Sequence, residues 1–497
     1  MLHFNSLTIM KTKNIKYSLG LGLAALAFAA CTKNFEEINT NPNSPTDAPM
    51  TNVLAFGIQD YAAGFFDVWG DMNEPSTYAG HLAKIQYIDE AQYVFRPNTV
   101  ENLWTQASRE LKNLEIVVGR AAEEGATNMQ AAALTVQSMI WQTTTDRWRD
   151  VPFFDALKAD EGVITPEYST QEEIYPELLN RLKTAAELFN EEGIDDLGTG
   201  DLIYGGDTEN WKRFANSLRL RVAIRISDVN PELAKQHIEE ILGDQGTYPI
   251  IEENSQNALL WWPGDLPYFE PWASDQFDPS NARDDHAVSN ILVNQLKSLD
   301  DPRLAVYAKK ATADGEYRGA AIGPNDLVPA ELTMYSRIGA KFRDDRAGFT
   351  PFMRASEVKF IIAEAAAKGF TTGTSAQVAY EEGVELSLAE NGITDADAYL
   401  SGPAAWSGDI SDIYLQKWIA LFKNGNEAWA ETRRTDVPAL SPATGTPYSG
   451  HNRPPFRYPY PNTETNLNGQ NSAAFVAEVE DSFWGKQMWW DIRTGVN

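Results

Sequence analysis

The sequence predicts a mainly α-helical fold, a stack of helical hairpins. Apolar residues recur at helical spacing in ten segments, short polar turns join many of them in pairs, and strand signal is thin. The first long segment, 101–122, places Leu103, Trp104, Ala107, Leu111, Leu114 and Val118 on one stripe. Residues 129–148 follow with Met129, Ala132, Ala133, Val136, Met139, Ile140 and Trp148. Thr170 is placed to cap a helix over 171–191, with Glu173 at the capping-box position. Segment 208–227 carries Trp211, Phe214, Leu218, Val222 and Ile226, with Arg219, Arg221 and Arg225 elsewhere on the cylinder.

Further helices are expected over 231–242, 285–299, 355–369, 376–391, 411–423 and 425–433. One short strand is expected in Ala258–Trp262. No 34-residue period can be counted, so the spacing alone does not define a regular repeat. Two long stretches break the pattern. Residues 245–284 are rich in aromatics, prolines and acids, and residues 436–472 in Pro, Ser, Thr, Gly and Asn. Long loops in a compact body are commonly functional or disordered, and the first is too aromatic for disorder.

At the N-terminus, Lys11, Lys13 and Lys16 precede an apolar run, Leu19 to Ala30, which ends at Cys31, the single cysteine of the chain. A basic start, a short apolar core and small residues before a cysteine read as a lipoprotein signal peptide over residues 1–30, with Cys31 as the acylated first residue. Phe28 stands where such signals usually carry leucine, and Met10 before Lys-Thr-Lys reads as a natural start. The run of 12 residues is short of the roughly 20 a spanning helix needs. Residues 31–50, with Pro42, Pro45 and Pro49, read as a flexible tether, leaving 51–497 as the folded domain. Within the tether, Glu36 and Glu37 resemble an acidic surface-export signal, with two solvated charges as the plain alternative.

Loss of residues 1–30 removes three lysines and no acids, and takes the net charge from −29 to −32. Such a surface repels phosphates and excludes nucleic acid as a partner. With one acylated cysteine there is no disulfide, so stability rests on core packing.

Several motifs in order resemble the SusD/RagB family of outer-membrane nutrient-binding lipoproteins. They are Asn39–Thr46, Thr145-Asp-Arg-Trp-Arg-Asp-Val-Pro-Phe-Phe-Asp-Ala-Leu157, Ser356–Ala367, Gln416–Pro438, Phe456-Arg-Tyr-Pro-Tyr-Pro461 and Trp489-Trp-Asp491. Departures are Trp148 and Arg149, where the family usually has Tyr and Gly, and Arg457 in place of Ile. The resemblance implies four tetratricopeptide-like hairpins with loops and short helices inserted on one face. It also implies an oligosaccharide ligand, or a peptide in some branches, and a SusC-like TonB-dependent transporter over which the lipoprotein acts as a lid. It implies that Glu357, Glu364, Glu427, Arg433 and Arg434 form ion pairs, buried or facing a partner.

Signals for catalysis are absent: the five histidines form no zincin motif, and no P-loop, dinucleotide fingerprint or nucleophile elbow occurs. No cofactor is expected. Asp195–Asp201 faintly suggests a calcium loop, but its spacing does not match an EF-hand and a capped turn is the better reading. The strongest candidate site is the loop 261–272, offering Trp261, Trp262, Tyr268, Phe269 and Trp272 as sugar platforms with Asp265, Glu270, Asp275 and Arg283 as polar partners. One stacked sugar removes about 50 Å² of apolar surface, on the order of 1 kcal/mol, so three platforms alone give affinity near millimolar. If Trp261 and Trp262 lie in a strand, one points in and the other out. Trp69, Asp71 and Asn73 form a second candidate group near the end of a helical segment that precedes 101–122. Peptide capture by the same scaffold, a helical scaffold that binds only protein, and an extracellular hydrolase are the competing readings.

Overall fold

The computed structural model describes residues 48–497 apart from 191, 192, 194, 196 and 281. The expected signal peptide, Cys31 and all but the last three tether residues lie outside the described residues. The body runs from Met50 to Asn497. It is mainly helical, with strands of two to five residues.

Helix α1 (Met50–Phe65) buries Leu54, Ile58, Tyr61 and Phe65 against α2 (Pro97–Glu124). Helix α2 ends where Gly125 adopts a left-handed conformation, and α3 (Thr127–Trp148) turns back along it. Almost every residue of α3 is buried, so it lies at the centre of the stack. Helix α4 (Gln171–Leu188) begins with the expected capping box, the Thr170 N–H donating to Glu173 Oε2 at 2.9 Å. Helix α5 (Thr208–Arg225) packs on α4, and α6 (Pro231–Gly243) on α5. Then α8 (Ala355–Ala367) pairs with α9 (Ala376–Glu390), and α10 (Ile410–Ala420) with α11 (Gly425–Thr435). The pairs α2–α3, α4–α5, α8–α9 and α10–α11 are the four expected hairpins.

Helix α11 also packs back on α3, and buried charges bind the middle of the stack. Arg221 on α5 holds Glu357 on α8 through two bonds of 2.6 and 2.7 Å. Arg225 pairs with Glu427, and its Nη1 lies 3.1 Å from Glu431. Glu431 also takes Lys417 at 3.1 Å and Arg434 at 2.9 Å, and Arg434 reaches Glu364 at 2.6 Å. Burial works against the Glu431 charge, but these three cations hold its carboxyl far below the usual carboxylate range. Arg433 departs from the expected ion pairing. It donates to the carbonyls of Asp146 and Phe456, each at 2.7 Å, and lies 3.8 Å from the Trp429 ring centroid. Arg219, Arg221 and Arg225, off the apolar stripe of α5, are also buried, each with an acidic partner.

The single helix expected over 285–299 is divided. His286–Val288 forms strand β3, antiparallel to β1 (Leu82–Lys84), and Ser289 then caps helix α7 (Asn290–Ser298). The seryl oxygen accepts from the Leu292 N–H at 3.1 Å, and the first turn starts there. The expected strand is present as β2 (Ala258–Trp261), antiparallel to β4 (Phe349–Met353), with Trp261 opposite Phe349. Asp196 of the Asp195–Asp201 segment lies outside the described residues; at the segment's end Asp201 caps the following turn, accepting from the N–H groups of Ile203, Tyr204 and Gly206 and from the Trp211 indole. Among the described residues no group of three His, Cys, Asp or Glu could hold a metal ion.

Candidate ligand-binding site

Helix α1 ends at Phe65 and the chain makes one π-helical turn, Val68–Met72. Asp67 caps this turn, its Oδ1 accepting from the N–H groups of Trp69 at 2.8 Å and Gly70 at 2.6 Å. The tight turn leaves no room beyond glycine at 70, where a Cβ would sit 1.9 Å from the Gly64 carbonyl oxygen. Trp69 is projected outward, its surface 42% exposed. Behind the ring lies Lys84, with Nζ 5.7 Å from the centroid and 2.6 Å from Glu90.

Trp69 and Asp67 stand in the common wall of two clefts. One cleft, about 430 Å³, runs between α1 and the aromatic loop, with Phe56, Gln59, Asp60, Tyr268, Phe269 and Asp278 among its walls. The other, about 550 Å³, runs along the start of α2 past Arg96, Asn98, Asn102 and Gln106. Both fall in the range of roughly 300–1,000 Å³ that encloses a small ligand.

The two candidate stretches therefore meet, but only part of each faces the clefts. Trp69 and Tyr268 are exposed there, Tyr268 at 49%. Trp262 and Phe269 contribute edges of the wall, though both are largely buried. The expected alternation holds: Trp261 is 59% exposed and Trp262 6%, its indole donating to Thr350 Oγ1 at 2.9 Å.

Three expected contacts are instead structural. Trp272 is fully buried and its indole donates to Asp71 Oδ2 at 3.1 Å, which ties the aromatic loop to the Val68–Met72 turn. Asp71 is buried with it and accepts from Ser76 Oγ at 2.8 Å. Asn73 is buried with its Oδ1 3.0 Å from His286 Nε2. The physical reason is that each ties the Val68–Met72 turn region to another segment through a buried bond: Trp272 and Asp71 pin the aromatic loop, and Asn73 pins strand β3 at His286. Trp261, Asp265 and Arg283 are exposed but lie outside the walls of both clefts. Trp261 packs on Phe349, with centroids 5.3 Å apart, and Arg283 lies 4.4 Å from the Tyr87 centroid.

Phe56, Gln59, Asp60 and Asp67, and the polar row on α2, are not foreseen by the motif reading. A signal existed. Phe56 is an aromatic residue off the buried stripe of α1, and it is 47% exposed. Asp60 pairs with Arg109 and takes the Gln106 amide at 2.9 Å, so α1 and α2 are joined at the cleft floor.

Burial shifts the acids of this region upward. The Asp67 carboxyl is pushed to about 7 and that of Asp71 to about 6, with hydrogen bonds and the Arg147 charge opposing. Glu74 is likewise raised to about 7.

A rigid helical scaffold presenting an aromatic ring between two polar clefts defines a binding protein. Residues 43–461 match the SusD-like family described as "Starch-binding associating with outer membrane". The chain belongs to that family, an outer-membrane-associated group of binding proteins rather than enzymes. It is similar to a SusD homolog from Bacteroides uniformis, 26% identical over 89% of this chain and 99% of that one, with a TM-score of 0.77. A chitin-binding SusD homolog from Flavobacterium johnsoniae is 23% identical over 89% and 98%, with a TM-score of 0.78. A further homolog, from Bacteroides thetaiotaomicron, is 22% identical over 90% and 100%, with a TM-score of 0.77. No curated protein matches the sequence.

Proposed function

We propose that the protein is an outer-surface lipoprotein, acylated at Cys31, which captures a glycan in the clefts beside Trp69 and delivers it to a SusC-like TonB-dependent transporter. The observation that carries this reading is the exposed, rigidly held Trp69 ring, with polar side chains on either side of it. A pyranose face lies flat on an aromatic ring while its hydroxyl rim pairs with amides and carboxylates, and both are present within one site. The family description and the chitin-binding relative support a polysaccharide over a peptide.

Affinity electrophoresis of the mature protein in gels containing starch, soluble chitin derivatives and other polysaccharides tests it. Retardation in at least one gel, lost in Trp69→Ala while the unfolding midpoint is kept, is the expected result. Absence of retardation across the panel, with capture from a peptide pool, replaces the glycan by a peptide. Co-purification of a TonB-dependent barrel with the membrane-anchored protein tests the transporter partnership.

A further inference from the structure

We infer that the ligand is an uncharged glycan chain long enough to occupy both clefts at once, draped across Trp69. This rests on the glycan reading above and adds length and charge to it.

The length follows from the geometry. The clefts are separate volumes of about 430 and 550 Å³, and the residues common to their walls are Asp67 and Trp69. Each alone suits a molecule of drug size, which is the size of a disaccharide, so a chain that fills both has about four units or more. The ring between them is not a mobile flap. The backbone N–H of Trp69 is held by Asp67, the next residue is a glycine with no space for a Cβ, and the Lys84–Glu90 pair is packed behind the ring. A fixed ring in a common wall acts as a saddle over which an extended chain passes.

The charge follows from an inventory of the walls. No Lys, Arg or His lines the first cleft, which carries Asp60, Asp67, Asp275 and Asp278. Arg96 is the one cation lining the second, and it is committed to Asp89 at 3.0 Å and to Glu90. Asp60 is taken by Arg109 and Asp275 by Arg343, whereas Asp278 meets only its neighbour Ser280 among the described residues. A uronate or sulfate would therefore find acids facing it and no free cation in either wall, and desolvating an unpaired anion there is unfavourable. The polar groups left over are of the kind that pair with hydroxyls and acetamido groups: Gln59 and Tyr268 on one side, Asn98 and Asn102 on the other.

Titration calorimetry with full-length mature protein tests both parts. The probes are neutral α- and β-linked glucan and N-acetylglucosamine oligomers of two and six units, and a galacturonic acid hexamer. At least one neutral hexamer is expected to bind tenfold or more tightly than its dimer, with no binding of the galacturonate hexamer. Asn102→Ala in one cleft and Tyr268→Ala in the other, both at exposed positions, are each expected to lower hexamer affinity several-fold and leave dimer affinity changed in one arm only. A dimer that binds as tightly as its hexamer overturns the two-cleft chain. A galacturonate hexamer that matches the neutral ones overturns the charge assignment. Either result leaves the glycan reading standing, whereas failure of every hexamer overturns the glycan reading itself.

Discussion

Trp69 and Trp272 lie within one local framework but do opposite work. The Trp69 ring is projected into solvent by a capped π turn, whereas the Trp272 indole is sealed behind it on Asp71. Trp69→Ala should change unfolding free energy by about 1 kcal/mol or less, the range for exposed positions, while abolishing glycan retention. Trp272→Ala should cost about 3–5 kcal/mol, because it opens a cavity and leaves Asp71 short of a donor; urea unfolding of the two variants separates the roles. The acids of the same turn give a pH signature. Asp67, Asp71 and Glu74 hold their protons more tightly in the folded state, with values of about 7, 6 and 7 against ordinary values of 3.8, 3.8 and 4.5. Their contribution to stability is therefore full near pH 4 and falls as pH rises to about 7, on the order of 2–3 kcal/mol for Asp71 alone. The urea midpoint should drop between pH 5 and pH 8. Asp67→Asn keeps the Oδ1 acceptor for both N–H groups and should flatten part of that slope.

At the scale of elements, the hairpins owe their register to buried charge and to close backbone approach. Glu431 on α11 meets cations from three directions, Arg225 on α5, Lys417 on α10 and Arg434 on its own helix. Glu431→Gln removes one charge and leaves Lys417 without a carboxylate partner among the described residues, while Arg225 keeps Glu427 and Arg434 keeps Glu364, so a loss of about 3–5 kcal/mol in unfolding free energy is expected. Gly425 opens the same helix at a point where a Cβ would lie 2.0 Å from Asp71 Oδ1 and 2.2 Å from Ser76 Oγ. Gly425→Ala should thus destabilise the body by about 1–3 kcal/mol and disturb the Trp69 turn, measurable as lower glycan affinity in a protein that remains folded. The helices were legible because their apolar stripes are long and locally periodic. The break at Ser289 was not, because β3 exists through pairing with β1, some 200 residues away in sequence. The departures at Trp148 and Arg457 have a shared explanation of the same kind. Arg457 donates to the Trp148 carbonyl at 2.6 Å, and the Trp148 indole donates to the Pro459 carbonyl at 3.0 Å, so both tie the segment Phe456–Pro461 to the end of α3.

Across the whole molecule, four hairpins close on themselves through α11 and α3 and hold the inserted segments rigidly. The site is a product of that closure. Its walls come from α1 with the π turn, the start of α2 and the loop ending in the helix Pro271–Phe277, which are brought together from three parts of the chain. The anchor proposed at Cys31 lies outside the described residues. Cys31→Ser should shift the protein from the membrane to the soluble fraction on cell fractionation and abolish labelling by radioactive palmitate, with the folded body unchanged by circular dichroism.

The order of motifs and the 3.6-residue periodicity were enough, without coordinates, to establish a helical hairpin stack of the SusD-like family, because those signals are local and repeat along the chain. Which rings of the aromatic loop face a ligand was decided only by tertiary structure. Trp261, Trp262 and Trp272 are chemically alike, and their exposure depends on β4, Thr350 and Asp71, partners that lie far away in sequence and that no local pattern names.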